Sequence, residues 1–207
     1  MQNIFDRTQH VYRSEALIEI IHDTIRFFNG TPVHSIPPPE NFLGAGVYAL
    51  YYIGKNPLYE RLYKANHLNF DRPIYVGKAV PRGWRQARIQ QASNELYTRL
   101  NEHHTSIAQA HNLREDDFRC RFMILEDSAT DLIGTVEAAL IRQYRPVWNS
   151  CIDGFGNHDP GSGRYAQRRS GWDTLHEGRL WAANLRPNEQ DAAAIAQTLK
   201  AYLDEEV

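Results

Sequence analysis

The segment GVYALYYIG, residues 46–54, places three tyrosines within nine residues. Two phenols that converged on one reacting atom could act there as acid and base. The segment is β-branched and aromatic and is followed by Lys-Asn-Pro, which predicts a strand that ends in a turn. Tyr48 and Tyr52 would then share a face but lie about 13 Å apart, at about 3.3 Å per residue. A partner for Tyr48 must therefore come from elsewhere, and we interpret Tyr52 as ordinary strand packing.

A second β-rich segment, PIYVGKA at residues 73–79, offers that partner in Tyr75. If the two segments pair as an antiparallel hairpin, residues that face each other have Cβ atoms about 4.5–5.5 Å apart. We therefore expect this pairing to place Tyr48 and Tyr75 side by side. The connection, residues 55–72, would be an unusually long hairpin loop, which we interpret as a functional insertion.

Four polar residues later in the sequence could lie at the same site as the two phenols. Arg99 and His103 are four residues apart in a predicted helix, so they share a face. Glu137 lies beside the apolar stripe of a later helix, in a stretch with no other charge, which favours a paired or cation-binding carboxylate. Asn149 lies just beyond that helix, where its amide could orient a neighbouring group.

This set of side chains suits metal-assisted hydrolysis of a phosphodiester. A hard cation would polarise the phosphate, Arg99 would stabilise developing negative charge, and a base would activate water. The single unambiguous carboxylate favours one metal ion rather than two. Ionising a phenol with an ordinary pKa of about 10 at pH 7 costs roughly 4 kcal/mol. His103, Lys78 or the metal would have to reduce that cost for Tyr48 to act as the base.

The elements that must position these residues follow from periodicity and capping signals. Helices are predicted over residues 14–30, over 94–111 with Ser93 as the cap, over 131–144 and over about 188–205. Residues 117–126 alternate as a third strand, residues 31–42 with three prolines form an extended arm, and residues 149–178 are rich in loops. The order predicts an α+β domain around a small antiparallel or mixed sheet flanked by helices.

Composition limits the class of protein. The chain has 207 residues, 42% hydrophobic and 23% charged, which is typical of one globular domain. Its two cysteines, Cys120 and Cys151, give neither a disulfide framework nor zinc spacing, and no segment has a signal-peptide or membrane-span profile. We expect a cytoplasmic protein. Residues 55–99 carry nine Lys and Arg against three Asp and Glu, which favours a phosphate-binding surface over a merely solvated face.

The residues also carry a resemblance to a known family. GVY at residues 46–48 and YVG at residues 75–77 resemble the two halves of the GIY-YIG nuclease motif, with Val in place of Ile in both. Arg99, Glu137 and Asn149 follow in the order of that superfamily's catalytic residues. The segments PIYVGKAVPRGWRQ, TVEAALI and WNSCIDGFGNHDPG resemble the branch of type II restriction endonucleases that cut CCGCGG.

The resemblance implies a role for each residue. Tyr48 would be the general base assisted by His103, and Tyr75 would position water or phosphate. Arg99 would stabilise charge, Glu137 would bind one Mg²⁺ ion, and Asn149 would support the site.

The resemblance also implies the organisation and the partners. A single nuclease domain would comprise an N-terminal helix and arm (1–44), a catalytic core (45–150) and a C-terminal extension (151–207). It would act on double-stranded DNA as a C2 homodimer, in which each protomer cuts one strand. The first helix and the arm would supply dimer contacts, and a companion DNA methyltransferase is implied genetically. Candidate DNA-binding residues, with the arginines as readers of G·C pairs, are Lys78, Arg82, Arg85, Asn157, His158, Arg164, Arg168 and Arg169.

Two other functions stay open. A homing or repair nuclease would share the catalytic core but usually carries a separate DNA-binding module, for which this sequence offers no zinc-finger spacing or basic tail. A non-catalytic DNA-binding protein would have a decayed site, whereas every catalytic residue type is present here. For the restriction enzyme, recognition would lie in the insertions 55–72, 81–91 and 154–169.

Overall fold

The computed structural model describes residues 5–81, 83 and 93–207. Its centre is a four-stranded sheet in the order β1–β4–β2–β3, and every neighbouring pair is antiparallel. The strands are β1 (Val33–Ser35), β2 (Gly46–Tyr52), β3 (Tyr75–Ala79) and β4 (Phe118–Ile124). The predicted α+β class is confirmed, and the sheet is antiparallel rather than mixed.

Seven α-helices in the described part of the chain accompany this sheet. They are α1 (Glu15–Gly30), α2 (Glu60–Asn66), α3 (Glu95–Gln109), α4 (Ile133–Tyr144), α5 (Val147–Ser150), α6 (Gly171–Leu175) and α7 (Ala192–Glu206). The prediction that Ser93 caps α3 is wrong, because Asn94 is the N-cap residue and the Ser93 hydroxyl donates to the Glu95 carboxylate at 3.3 Å.

Strand β2 lies between β4 and β3 in the sheet, and all seven of its residues are buried. Val47, Ala49 and Tyr51 pack into a cluster with buried residues of α1 and α4. Tyr48 and the other even-numbered residues face a second cluster, with α3, α5 and α7. A strand covered on both faces reads as a continuous apolar run, and GVYALYY is such a run. Tyr48 therefore lies on a rigid strand that is packed on both faces.

Residues 31–42 do not form the free extended arm that their prolines suggested. Val33, His34 and Ser35 pair with β4 as the edge strand β1, and Ile36 is buried. Ladder hydrogen bonds to β4 satisfy backbone groups that would otherwise face solvent. The segment belongs to the sheet.

The long connection between β2 and β3 is also more ordered than a hairpin loop. It contains α2, and Asn66 at the end of that helix closes the connection. The Asn66 amide donates to the carbonyls of Tyr52, at 3.1 Å, and Arg72, at 2.8 Å, and its carbonyl oxygen accepts from the Arg72 backbone at 2.9 Å. Because Asn66 is fully buried, these bonds hold the two strand ends together.

The region predicted to be rich in loops, residues 149–178, contains the end of α5 and the short helix α6 as well as irregular segments. Helix α7 packs against α6 and starts at the side-chain cap of Asp191, which accepts from the Ala194 backbone at 2.8 Å. Within the described ranges, none of the helices has the length and apolarity that a bilayer-spanning segment needs.

Candidate active site

Tyr48 and Tyr75 lie side by side on one face of the paired strands. Tyr48 lies opposite Gly77, and Tyr75 lies opposite Leu50. The two tyrosines are therefore diagonal neighbours across the strands, with ring centroids 6.3 Å apart. The diagonal leaves room for the phenol of Tyr48 to lie over Gly77. A Cβ at Gly77 would lie 2.3 Å from Tyr48 Oη, so any side chain there would displace the phenol.

His103 of α3 contacts the phenol of Tyr48. The distance from Tyr48 Oη to His103 Nε2 is 2.6 Å, and both side chains are buried. Burial raises the pKa of Tyr48 well above its ordinary value, with Tyr75 adding to the rise and Arg99 opposing it. Burial also lowers the pKa of His103 well below 6.5, assisted by the charges of Arg99, His158 and Arg179. At neutral pH the pair is a protonated phenol beside a neutral imidazole. With its proton on Nδ1, that imidazole accepts the phenol proton at Nε2.

Phe155 forms the inner wall of this site. Its ring stacks on His103 at 4.6 Å with an interplanar angle of 15°, and meets Tyr75 edge-on at 4.9 Å. Phe155 itself is 1% exposed. This wall keeps water from one side of the imidazole, which is consistent with the low pKa of His103.

Arg99 lies one helical turn before His103, as the i, i+4 spacing predicted. Its guanidinium donates to the Gly156 carbonyl at 2.8 Å, to Glu102 at 2.7 Å and to His158 Nε2 at 2.5 Å. The Arg99 side chain is 19% exposed. The guanidinium is thus fixed in place while it remains partly open to solvent.

Glu137 of α4 approaches the same edge of the sheet from the other face. Lys78 alternates with Tyr75 and Gly77 along β3, so it points to the opposite side, and its Nζ lies 2.5 Å from Glu137 Oε2. The charge of Glu137 contributes to the raised pKa of Tyr75, after burial and against the effect of Arg99. The edge strand β3 therefore has the phenol of Tyr75 on one face and the Lys78–Glu137 ion pair on the other.

Asn149 holds the backbone of β3. Its amide accepts from the Val76 N–H and donates to the Val76 carbonyl, both at 2.8 Å. The backbone of Trp148 donates to the Ile74 carbonyl at 3.0 Å. These bonds satisfy the outer edge of the last strand and fix the residues between Tyr75 and Lys78.

Apart from Lys78, which pairs with Glu137, the candidate DNA-binding residues separate into three groups. Arg82 and Arg85, with most of the 81–91 insertion, lie outside the described residues. His158 contacts Arg99, and both it and Asn157 are exposed beside the site. Arg164 is exposed in the glycine-rich segment, whereas Arg168 pairs with Glu189 and Arg169 with Glu177 in the C-terminal extension.

Several residues at this site were missing from the sequence prediction. Phe155 and Gly156 were covered by the quoted segment WNSCIDGFGNHDPG, but nothing in it indicated that its backbone would reach Arg99. Glu102 lies three residues after Arg99, a spacing typical of helical ion pairs. Arg179 is separated from the site by more than twenty residues and gave no local signal.

The geometry places the two motif tyrosines, an arginine, a histidine and a carboxylate around one edge strand. The family model of the Eco29kI GIY-YIG domain matches residues 40–203. The chain belongs to this family. A search among curated proteins found no match.

Membership of the Eco29kI GIY-YIG family supports a nuclease whose substrate is DNA. The matched range includes β2 to β4 and the helices α3 to α6, and hence every predicted catalytic residue. Helix α1 precedes it. The catalytic geometry thus lies wholly within the family domain.

Proposed function

We propose that this protein is a type II restriction endonuclease that hydrolyses double-stranded DNA at a palindromic G·C-rich site. CCGCGG is the sequence implied by its resemblance to that branch of the superfamily. The observation that carries the proposal is the buried hydrogen bond between Tyr48 and His103, next to Tyr75 and Arg99. It provides a route for a proton away from an attacking water.

The proton route avoids a free phenolate. A water molecule attacks phosphorus and passes a proton to Tyr48 Oη while the phenol proton moves to His103 Nε2. The P–O bond to the leaving deoxyribose oxygen breaks, and that oxygen takes a proton from solvent. Because burial disfavours the ionised form of Tyr48 and raises its pKa, coupled transfer to a neutral imidazole avoids a free phenolate, which costs roughly 4 kcal/mol at pH 7 even for a phenol of ordinary pKa. Base catalysis of this kind contributes about 10²- to 10⁴-fold.

Arg99 and Tyr75 bind and orient the phosphate. The planar guanidinium of Arg99 is already held by Glu102 and the Gly156 carbonyl, so it loses little freedom when a phosphate binds. Preorganised donors of this type stabilise charge that develops in the transition state. Tyr75 is half-buried and supplies a hydroxyl next to Tyr48.

Glu137 is proposed to hold one Mg²⁺ ion, in keeping with the divalent metal ions typical of GIY-YIG nucleases. The described residues contain no group of three or more His, Cys, Asp or Glu side chains that could hold a metal. The donor set nevertheless fits Mg²⁺, which binds through one or two carboxylates and completes its shell with water and phosphate oxygens. A carboxylate can accept Lys78 at Oε2 and a cation at Oε1. When bound, the ion would polarise the phosphate.

A homodimer is proposed because one protomer has one site and a palindrome must be cut twice. Helix α1 carries apolar side chains that the protomer leaves exposed: Leu17, Ile18, Ile20 and Phe27. Light scattering of wild type with a cognate duplex should give two protomers per site, and one per site would contradict the proposal. The variant Ile20→Lys should weaken the dimer, while Glu19→Gln, with the same change in charge on the same helix, should leave it intact.

For recognition of G·C pairs, Asn157 and His158 are described candidates beside the site, and Arg164 is an exposed candidate in the glycine-rich segment. Changing Arg164 to Ala should weaken cognate binding more than non-cognate binding if it contacts a guanine, and both equally if it contacts phosphate. We place the protein in the cytoplasm with a companion methyltransferase, a setting that agrees with its two free thiols.

The experiment that tests the proposal is cleavage of a supercoiled plasmid with a single CCGCGG site. Wild type with Mg²⁺ should give one linear product, and EDTA should prevent it. Glu137→Gln should bind the site but not cut it. Cleavage at many positions would favour a homing or repair type of nuclease instead, and tight binding without any cleavage would leave a non-catalytic DNA-binding protein.

A further inference from the structure

Residues 154–158 contact three of the proposed catalytic side chains. The Phe155 ring covers His103 and meets the edge of Tyr75, and the Gly156 carbonyl accepts from Arg99 at 2.8 Å. The approach is close, since a Cβ at Gly156 would lie 2.7 Å from Tyr75 Oη. A small displacement of this loop would therefore move the base and the phosphate ligand together.

Arg179, in the C-terminal extension, holds this loop. Its guanidinium donates to the carbonyls of Gly154 at 2.8 Å, Phe155 at 3.1 Å and Asn157 at 3.0 Å. It also donates to both oxygens of Asp173, at 2.6 and 2.7 Å. These five bonds use all five N–H groups that an arginine has.

The environment of this guanidinium suits arginine and no other side chain. Arg179 is 3% exposed and lies over the rings of Trp172 and Trp181, at 4.6 and 4.7 Å. Asp173 is 2% exposed, so the ion pair is buried and its charge is compensated within the protein. Lysine has three donors around a single point and no flat face, so it cannot make the same bonds.

We propose that Arg179 is a positioning residue for the active site, which fixes residues 154–158 so that the loop holds Arg99 and covers His103. It touches none of the reacting atoms. The inference rests on the proposed roles of Arg99 and His103, and it adds the C-terminal extension to the machinery of the site. It also explains how a loop with little regular structure can serve as a rigid wall.

The test compares Arg179→Lys with wild type in single-turnover cleavage at saturating enzyme, with DNA affinity measured separately. The cleavage rate should fall about 10- to 100-fold, as expected when catalytic groups are misplaced by about 1 Å, and affinity should change less than about threefold. Arg145→Lys is the matched control, because Arg145 forms an exposed ion pair with Glu206 away from the site. It should cleave at the wild-type rate.

A pH profile distinguishes positioning from mere stability. Tyr48, Tyr75, Arg99, His158 and Phe155 surround His103, and its imidazole accepts a proton only when neutral. Loosening the loop admits water and brings the pKa of His103 back toward 6.5. The acid limb of the rate should therefore move to higher pH in Arg179→Lys. A folded variant with the wild-type rate and profile would overturn the proposal.

Two further measurements cover the remaining outcomes. If Arg179→Lys does not fold, Phe155→Leu retains the Arg179 cluster but removes the ring over His103. It should show the same shift of the acid limb, and an unchanged profile would overturn the proposal. If wild type cuts no DNA, the proposed function fails. An NMR titration still measures how the loop affects the pKa of His103, and the variant His103→Gln identifies the His103 signal. Equal pKa values of His103 in wild type and Phe155→Leu would overturn the inference independently.

Discussion

Among the residues that the structure describes, two buried tyrosine–histidine pairs have the same hydrogen bond and different surroundings. The site pair is Tyr48 and His103, and the core pair is Tyr59 and His176; in each, the phenol oxygen lies 2.6 Å from Nε2. All four side chains are at most 2% exposed. The hydrogen bond and its burial therefore do not by themselves mark a catalytic group.

Both side chains of the core pair have a further hydrogen-bond partner within the protein. Trp148 donates its indole N–H to Tyr59 at 2.9 Å, and His176 Nδ1 lies 2.8 Å from the side-chain oxygen of Asn112. This acceptor places a proton on Nδ1, so Nε2 accepts from Tyr59. Burial lowers the pKa of His176 to about 3. The pair joins the insertion, α5 and the C-terminal extension.

The site pair has charged and partly exposed neighbours instead. Arg99 and the charge of Glu137 both act on Tyr48, and Tyr75 beside it is only half-buried. Arg99 and Tyr75 leave this edge of the sheet partly exposed, whereas the core pair is enclosed by Trp148 and Trp172. The comparison teaches that exposed and charged neighbours, rather than the hydrogen bond, set the proposed proton relay apart from a core contact.

The largest expected effect comes from removing the hydroxyl of the site pair. Tyr48→Phe should lower single-turnover cleavage by on the order of 10³-fold, because the water loses its proton acceptor. DNA affinity should stay within about threefold. A rate within tenfold of wild type would contradict the relay and leave both pairs structural.

A smaller loss of cleavage rate is expected when the phenol of Tyr48 is retained but displaced. Gly77→Ala puts a Cβ where Tyr48 Oη and Cζ lie, at 2.3 and 2.5 Å. Cleavage should fall about 10²-fold. The matched control is Gly134→Ala in α4, where a Cβ would meet no atom within 4 Å. That variant should keep full activity and gain about 0.5–1 kcal/mol of stability.

A change in the core pair should lower the stability of the protein and leave DNA cleavage nearly unchanged. Tyr59→Phe leaves the Trp148 indole and His176 without a buried partner, so the free energy of unfolding should fall by about 1–3 kcal/mol. Urea denaturation measures this change. At 25 °C the folded variant should cleave within about twofold of wild type. A large loss of cleavage in fully folded protein would mean that the core pair also supports catalysis.

The smallest effect concerns the pH dependence of stability. The folded-state pKa of His176 is about 3 and the unfolded value is about 6.5, so between these values the unfolded chain binds a proton that the folded chain does not. Stability therefore falls as pH falls below 6.5. Wild type should lose roughly 2 kcal/mol more than His176→Gln between pH 6.5 and pH 5. Parallel curves from urea titrations would contradict burial of a neutral His176.

Much of the site could be predicted because its signals are local. The i, i+4 spacing of Arg99 and His103 depends on helical periodicity, and α3 covers both. The β-branched and aromatic composition of GVYALYY and the β-rich segment YVGKA predicted two strands that pair. By contrast, the structure of the connection was missed, because α2 is held by Asn66 contacts to both strand ends rather than by a strong helical pattern.

The amino-acid sequence by itself determined the motif residues, the order of the catalytic candidates and the class of fold, because strand alternation and helix periodicity are properties of short segments. Only the tertiary structure decided the diagonal register that lays Tyr48 over Gly77. It also decided which of two similar tyrosine–histidine pairs lies next to Arg99, and that Arg179 fixes the loop around Phe155. These features depend on contacts between residues tens of positions apart, whose geometry no local pattern specifies.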